Sequence, residues 1–210
     1  MIYTMDLRRC FGPRHLPTYA VMTVAGVLLV VQRGDLSPYI SAMIVTLSAL
    51  EFQFNNLLYR SPSELEALTI LPVSWKEVIL AKNLATITAV LALGIVTTVC
   101  LLFFSPRSPD AAQYLDALLF VWTVIFPLLC LGNLRSVEEP RRGGRAGNGL
   151  ILAAGMALVV CVCAIPYVIL RTFAGSSLAC VIGGAAGGWF WMRRSIPSTA
   201  KAAEHTLTTQ

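Results

Sequence analysis

Glu51 is the only acidic residue placed deep inside a long apolar stretch of the chain. Arg60 follows nine residues later, about 13 Å away along a helix that rises 1.5 Å per residue. Ser48 and Asn55 share the helical face of Glu51. A charge at this depth costs about 2.5 to 3.5 kcal/mol on insertion scales, so we expect this face to line a bundle interior or a hydrated pathway. Glu51 either serves such a pathway or, protonated or paired with asparagine, holds helices together.

Residues that support acid–base catalysis are otherwise scarce. Histidine, the usual general base, occurs only at His15 and His205, at the edges of the apolar part of the chain. Glu138 and Glu139 resemble a paired-glutamate protease motif, but Gly143 stands where that motif has arginine. A Ser–His hydrolase within the membrane lacks its histidine. We therefore expect no catalytic residue, and an intramembrane enzyme remains only as an alternative.

The chain lacks the pattern of a nucleotide-binding or metal-binding protein. A loop that cradles phosphates needs glycine before its lysine, whereas the three lysines follow tryptophan or alanine. Cys161 and Cys163 would point to opposite sides of a helix, so they are poor co-ligands for a metal. We expect this chain to bind no cofactor and no metal itself. If its function consumes ATP, a partner chain must hold the ATP and Mg²⁺.

Composition excludes an ordinary soluble protein. Of 210 residues, 56% are hydrophobic and 13% charged, whereas a soluble domain averages about 25% charged residues. Six apolar segments each approach the roughly 20 residues of a membrane-spanning helix. They cover about 15–32, 39–59, 83–104, 113–133, 149–170 and 175–192. The sequence thus predicts an all-α transmembrane domain over residues 1–194.

Charge predicts the orientation of this bundle. Basic residues number 13 in one set of alternating connections and 3 in the other, so the positive-inside rule places both termini in the cytoplasm. The net charge of +5 is then explained by cytoplasmic loops, and no nucleic-acid partner is expected. Residues 195–210 show no hydrophobic periodicity and are predicted to be a disordered cytoplasmic tail.

The connection between the second and third spans contains successive helix-start signals. Ser63 with Glu66 forms a capping box that predicts a short amphipathic helix, which Pro72 ends. Ser74 with Glu77 forms another capping box and predicts a helix that runs directly into the third span. A short helix of this kind either docks a partner protein or rests on lipid headgroups.

This connection resembles a known transporter element. Residues 63–85, SELEALTILPVSWKEVILAKNLA, resemble the loop between spans two and three of ABC-transporter permease subunits of the second, export-associated type. The resemblance implies that the short helix is a coupling helix that docks on a cytoplasmic ATPase subunit. The docking residues that it implies are Glu64, Leu65, Glu66, Leu68, Leu71, Pro72, Ser74 and Lys76.

The resemblance also implies the rest of the assembly. It indicates a permease in the bacterial cytoplasmic (inner) membrane, paired with a second permease subunit as a homodimer or heterodimer and with ATPases that bind ATP and Mg²⁺. Export follows from the resemblance alone. The alternative is a substrate-capturing membrane subunit of a vitamin importer, which we would expect to lack a coupling loop.

Small residues recur on the sixth apolar segment. Gly175, Ala179, Gly183 and Gly187 follow one another at four-residue intervals, which allows two helices to approach closely. This close approach serves either packing within the subunit or a dimer interface. Pro166 is expected to bend the fifth span or to break it into a re-entrant piece.

Overall fold

The computed structural model describes residues 2–13, 15–31, 37–56, 72–104, 108–138 and 148–208. Within these ranges the chain is helical and contains no strand, which confirms the predicted all-α class. A π-helical turn at Trp191–Ser195 joins the last two helices. The α-helices are α1 (Ile2–Cys10), α2 (Leu16–Val31), α3 (Ser37–Asn56), α4 (Trp75–Phe104), α5 (Ser108–Glu138), α6 (Asn148–Ala174), α7 (Ser176–Phe190) and α8 (Ile196–Thr208).

Three segments of the described chain are long and apolar enough to cross a membrane. They are Trp75–Phe103 in α4, Gln113–Leu134 in α5 and Gly155–Phe173 in α6. Shorter apolar helices lie at Leu16–Val31 and Pro38–Ala49. Apolar helices of this length are compatible with a transmembrane protein.

Helix α5 forms the centre of the bundle. It packs against α2, α3, α4, α6, α7 and α8, and 61% of its apolar segment is buried. Helix α6 packs mainly on α5 and α7, and only 6% of its apolar segment is buried. The apolar surface of α6 therefore faces the surroundings of the bundle, where a membrane would supply the apolar contacts that other helices do not.

The sixth apolar segment and the predicted tail form one uninterrupted helical rod. The backbone keeps α-helical angles at both junctions, and the π turn joins α7 to α8. Ile196, Ala200 and Ala203 are buried, and α8 packs on α4 and α5. The structure therefore contradicts the predicted disorder over residues 195–208, because small side chains along one face of this segment find a tertiary surface that its composition does not reveal.

The predicted roles of Pro166 and Gly175, near the end of α6, are also revised. Helix α6 continues through Pro166 to Ala174, so the re-entrant alternative is wrong, since membrane helices tolerate internal proline. The chain reverses at Gly175, whose φ of 82° is a conformation that favours glycine. Gly175 thus serves a turn between α6 and α7, and nothing lies within 4 Å of the position its Cβ would take.

Candidate functional site

The predicted docking loop is only partly within the described residues. Positions 57–71 lie outside them, and these include Glu64, Leu65, Glu66, Leu68 and Leu71. Pro72, Ser74 and Lys76 are described, and all three are exposed. The described part of the predicted docking segment therefore lies at the start of α4 and is accessible.

The predicted capping box at the start of α4 is confirmed. The backbone N–H of Ser74 donates to Oε2 of Glu77 at 2.9 Å, and the backbone N–H of Glu77 donates to Oγ of Ser74 at 3.4 Å. These bonds satisfy backbone donors that a helix start leaves unpaired. Helix α4 then runs without interruption for 30 residues, about 45 Å at 1.5 Å per residue. A hydrocarbon core is about 30 Å thick, so α4 is long enough to extend beyond it.

Helix α1 covers the first part of α4. The Tyr3 hydroxyl lies 3.0 Å from Oγ1 of Thr88, and α1 packs along α4. Asp6 and Lys82 are each only 1% exposed. Burial, with a smaller contribution from the negative charge of Asp6, raises the pKa of Cys10 to about 12, while Lys82 acts in the opposite direction. A carboxylate, an ammonium group and a thiol are thus buried together between α1 and α4.

The sequence did not predict this buried cluster. The predicted layout leaves Lys82 in the connection before the third apolar segment, which begins at residue 83. In the structure residues 2–10 form α1, and Asp6 and Cys10 are buried where α1 packs on α4. Their spacing of four residues on one helical face was the available signal.

The polar face around Glu51 is described only in part. Ser48 is buried, and its hydroxyl donates to the carbonyl oxygen of Val45 at 2.7 Å. The side chains of Glu51 and Asn55 lie outside the described part of α3. The role of this face in a pathway therefore stays a prediction.

The small residues of α7 lie against α5. The Cβ of an alanine at Gly183 would approach Thr123 to 3.0 Å, and one at Gly187 would approach Phe126 to 3.2 Å. Ala179 is buried on the same helix. These contacts lie within one chain, so glycine here permits the close approach of α7 to α5.

A polar cluster joins α3, α5 and α6 at the end of the bundle opposite α1. The Tyr39 hydroxyl donates to Oδ2 of Asp116 at 2.6 Å. The Arg171 guanidinium donates to the Tyr39 oxygen at 2.5 Å and lies 3.0 Å from Oδ2 of Asp116. Its central carbon is 6.0 Å from the centroid of the Tyr39 ring. We call this cluster, with Phe120 and Tyr167 beneath it, the Arg171 site.

Two layers make up the Arg171 site. Phe120 follows Asp116 by one turn of α5, and Tyr167 precedes Arg171 by one turn of α6. The rings of Phe120 and Tyr167 are 5.1 Å apart, and those of Phe120 and Tyr39 are 6.1 Å apart. An ion pair therefore lies above a continuous row of aromatic rings. Sequence reasoning missed this site because its residues come from three helices that are far apart in the sequence.

The described residues contain no group of three His, Cys, Asp or Glu side chains that could hold a metal ion. Comparison with known proteins identifies no relative, since no family model, curated protein or solved structure matches this chain. A function must therefore be inferred from the residues of the chain itself.

Proposed function

We propose that this chain is the permease subunit of an ABC exporter in a bacterial cytoplasmic membrane. It crosses the membrane six times with both termini in the cytoplasm, and it pairs with a second permease subunit and with two ATPase subunits. Three long apolar helices and the shorter apolar helices α2 and α3 support the membrane part of this proposal. The helical rod of α7 and α8 would provide the sixth span and extend beyond it.

The confirmed capping box at Ser74 is the observation that carries the proposal. It starts α4 at the point where the predicted docking loop ends, so the last residues of that loop lead directly into a membrane helix. A push on residues 64–71 by an ATPase would be transmitted along α4 as a rigid body. Since α4 packs on the central helix α5, the movement would reach the middle of the bundle.

Two further helices brace the first part of α4. Helix α1 packs on it and makes the Tyr3–Thr88 contact, and α8, whose Ala200 and Ala203 are buried, also packs on it. Bracing from two helices would keep α4 straight where it leaves the membrane. A displacement at its start would then move α1, α4 and α8 together.

Copurification with an ATPase tests the proposal. The full chain with a tag after Gln210 is extracted in a mild detergent from cells of its own source, and the proteins that elute with it are identified. We expect an ATP-binding-cassette subunit with the wild type and its loss from the variants Glu64→Lys and Glu66→Lys. Glu204→Lys introduces the same charge change at an exposed position of α8 and should retain the ATPase.

Gel filtration distinguishes a loss of docking from a loss of folding. Each variant must elute from gel filtration at the wild-type volume before its partners are compared. If no ATPase elutes with the wild type under conditions that preserve other membrane complexes, the permease proposal is refuted. If all three variants retain the ATPase equally, docking does not use Glu64 or Glu66.

A further inference from the structure

The Arg171 site combines a carboxylate with a row of aromatic rings. Asp116 is 19% exposed, and Tyr39, Phe120 and Tyr167 lie along its inner side. Aromatic faces attract cations through the ring quadrupole, and a partly buried carboxylate supplies the opposite charge. Proteins bind organic cations with this combination of a carboxylate and aromatic rings.

The guanidinium of Arg171, a cation of the chain itself, lies on the accessible side of this site. The Arg171 guanidinium pairs with Asp116 and lies over the Tyr39 ring, while its side chain remains 47% exposed. A half-exposed ion pair contributes about 1 kcal/mol or less, so another cation could compete with it at moderate cost. Arg171 therefore shows the kind of group that fits against Asp116 and the Tyr39 ring.

The Tyr167 hydroxyl is a second, independent indication of a ligand. Tyr167 is 4% exposed, and its hydroxyl has no hydrogen-bond partner among the described residues. It lies within electrostatic range of Asp116, Tyr39 and Arg171. A buried polar group without a partner costs about 1 to 3 kcal/mol, which an entering polar group would recover.

We propose that the Arg171 site binds an amphiphilic organic cation, whose charged group replaces the Arg171 guanidinium at Asp116 and whose apolar part lies against the Tyr39 ring. The position of the site fits this class of ligand. Asp116 lies near one end of the α5 span and Arg171 near one end of the α6 span, so the site is at the boundary of the apolar region. Ile169 and Phe173 are exposed on either side of Arg171 and offer an apolar route of entry.

Charge excludes the opposite class of ligand. An anion would have to displace Asp116 from Arg171 and then lie beside a half-buried carboxylate that it repels. A neutral aromatic molecule could contact the Tyr39 ring but would leave the ion pair in place. The charge of the ligand is therefore the property to vary.

Calorimetric titration of the purified full chain in a nonionic detergent tests this proposal. The probe is benzylammonium, whose N–H groups can donate hydrogen bonds as the guanidinium does, and benzoate and benzyl alcohol are the anionic and neutral controls. We expect saturable binding of the cation alone. Asp116→Asn should weaken it at least tenfold, whereas Arg171→Ala, which removes the competing cation, should strengthen it by up to about fivefold. Arg193→Ala, which changes an exposed arginine at the other end of the bundle, should leave it unchanged.

The opposite effects of the two variants separate a binding site from a purely structural ion pair, which would make Asp116→Asn and Arg171→Ala behave alike. Arg171→Ala alters a half-exposed side chain at a helix end, so it remains testable even if Asp116→Asn does not fold. Absence of saturable cation binding, equal binding of benzoate, or weaker binding by Arg171→Ala would each overturn the proposal. The titration needs no ATPase, so its result is independent of the transport proposal.

Discussion

Replacing Gly184 by alanine is expected to destabilise the bundle, because α7 approaches the Trp122 ring of α5 at this position. An added Cβ would lie 2.6 Å from Nε1 and 2.7 Å from Cδ1 of Trp122, closer than van der Waals contact allows. Overpacking of this kind costs about 1 to 3 kcal/mol. Alanine recovers about 1 kcal/mol of helix propensity relative to glycine, so the net loss of stability is about 0 to 2 kcal/mol.

Gly155→Ala is the matched control for this substitution. Gly155 lies within α6, and its added Cβ would be 3.5 Å from Cδ2 of Leu131, an ordinary contact distance. Its backbone angle φ is not positive, so alanine fits the conformation. The control should therefore keep the propensity gain without the clash and raise the stability by up to about 1 kcal/mol.

Thermal stability of the two variants in detergent, followed by the loss of the monodisperse gel-filtration peak after heating, measures the difference. For a chain of this size, 1 kcal/mol corresponds to a shift of about 2 to 4 °C in the melting temperature. Trp122→Ala removes both atoms that clash, so it should cost less stability in the Gly184→Ala background than in the wild type. The close approach of α7 to α5 would be refuted if Gly184→Ala were as stable as Gly155→Ala.

The start of α4 and the buried thiol of α1 give two further predictions. Ser74→Ala removes the capping hydroxyl and should lower the stability of the start of α4 by about 0.5 to 2 kcal/mol. Faster amide hydrogen exchange over the first turn of α4 would detect this loss, whereas Ser198→Ala should leave the exchange of that turn unchanged. Maleimide reacts with the thiolate form of cysteine, and burial raises the pKa of the Cys10 thiol from 9.0 to about 12. At pH 8 Cys10 in the folded chain should therefore react with maleimide about a thousandfold more slowly than an ordinary thiol does. Above pH 9 the unfolded chain releases this proton first, so the stability of the wild type should fall as the pH rises toward 12, and Cys10→Ala should reduce that fall. Wild-type labelling at the rate of an unfolded control would contradict the burial of Cys10.

Sequence patterns predicted the structure correctly where residues close together in the chain determine it. The capping box of Ser74 and Glu77 is a local pattern, and α4 begins beside it in the structure. Prediction failed for α8, whose polar and small residues carry no signal of a buried helix. Its burial depends on α4 and α5, which lie far away in the sequence. The same limit applies to Arg171, whose partners are on two other helices.

The sequence by itself determined that this chain is helical and apolar, where its long apolar helices run and how α4 begins. Hydrophobic length, proline and capping residues act within a few turns, so they can be recognised without knowledge of the fold. Only the tertiary structure decided that Lys82 is buried, that α8 completes the bundle and that Asp116 and Tyr39 hold Arg171. These features arise where helices distant in sequence meet, because the free energy of burying or pairing a side chain depends on what covers it.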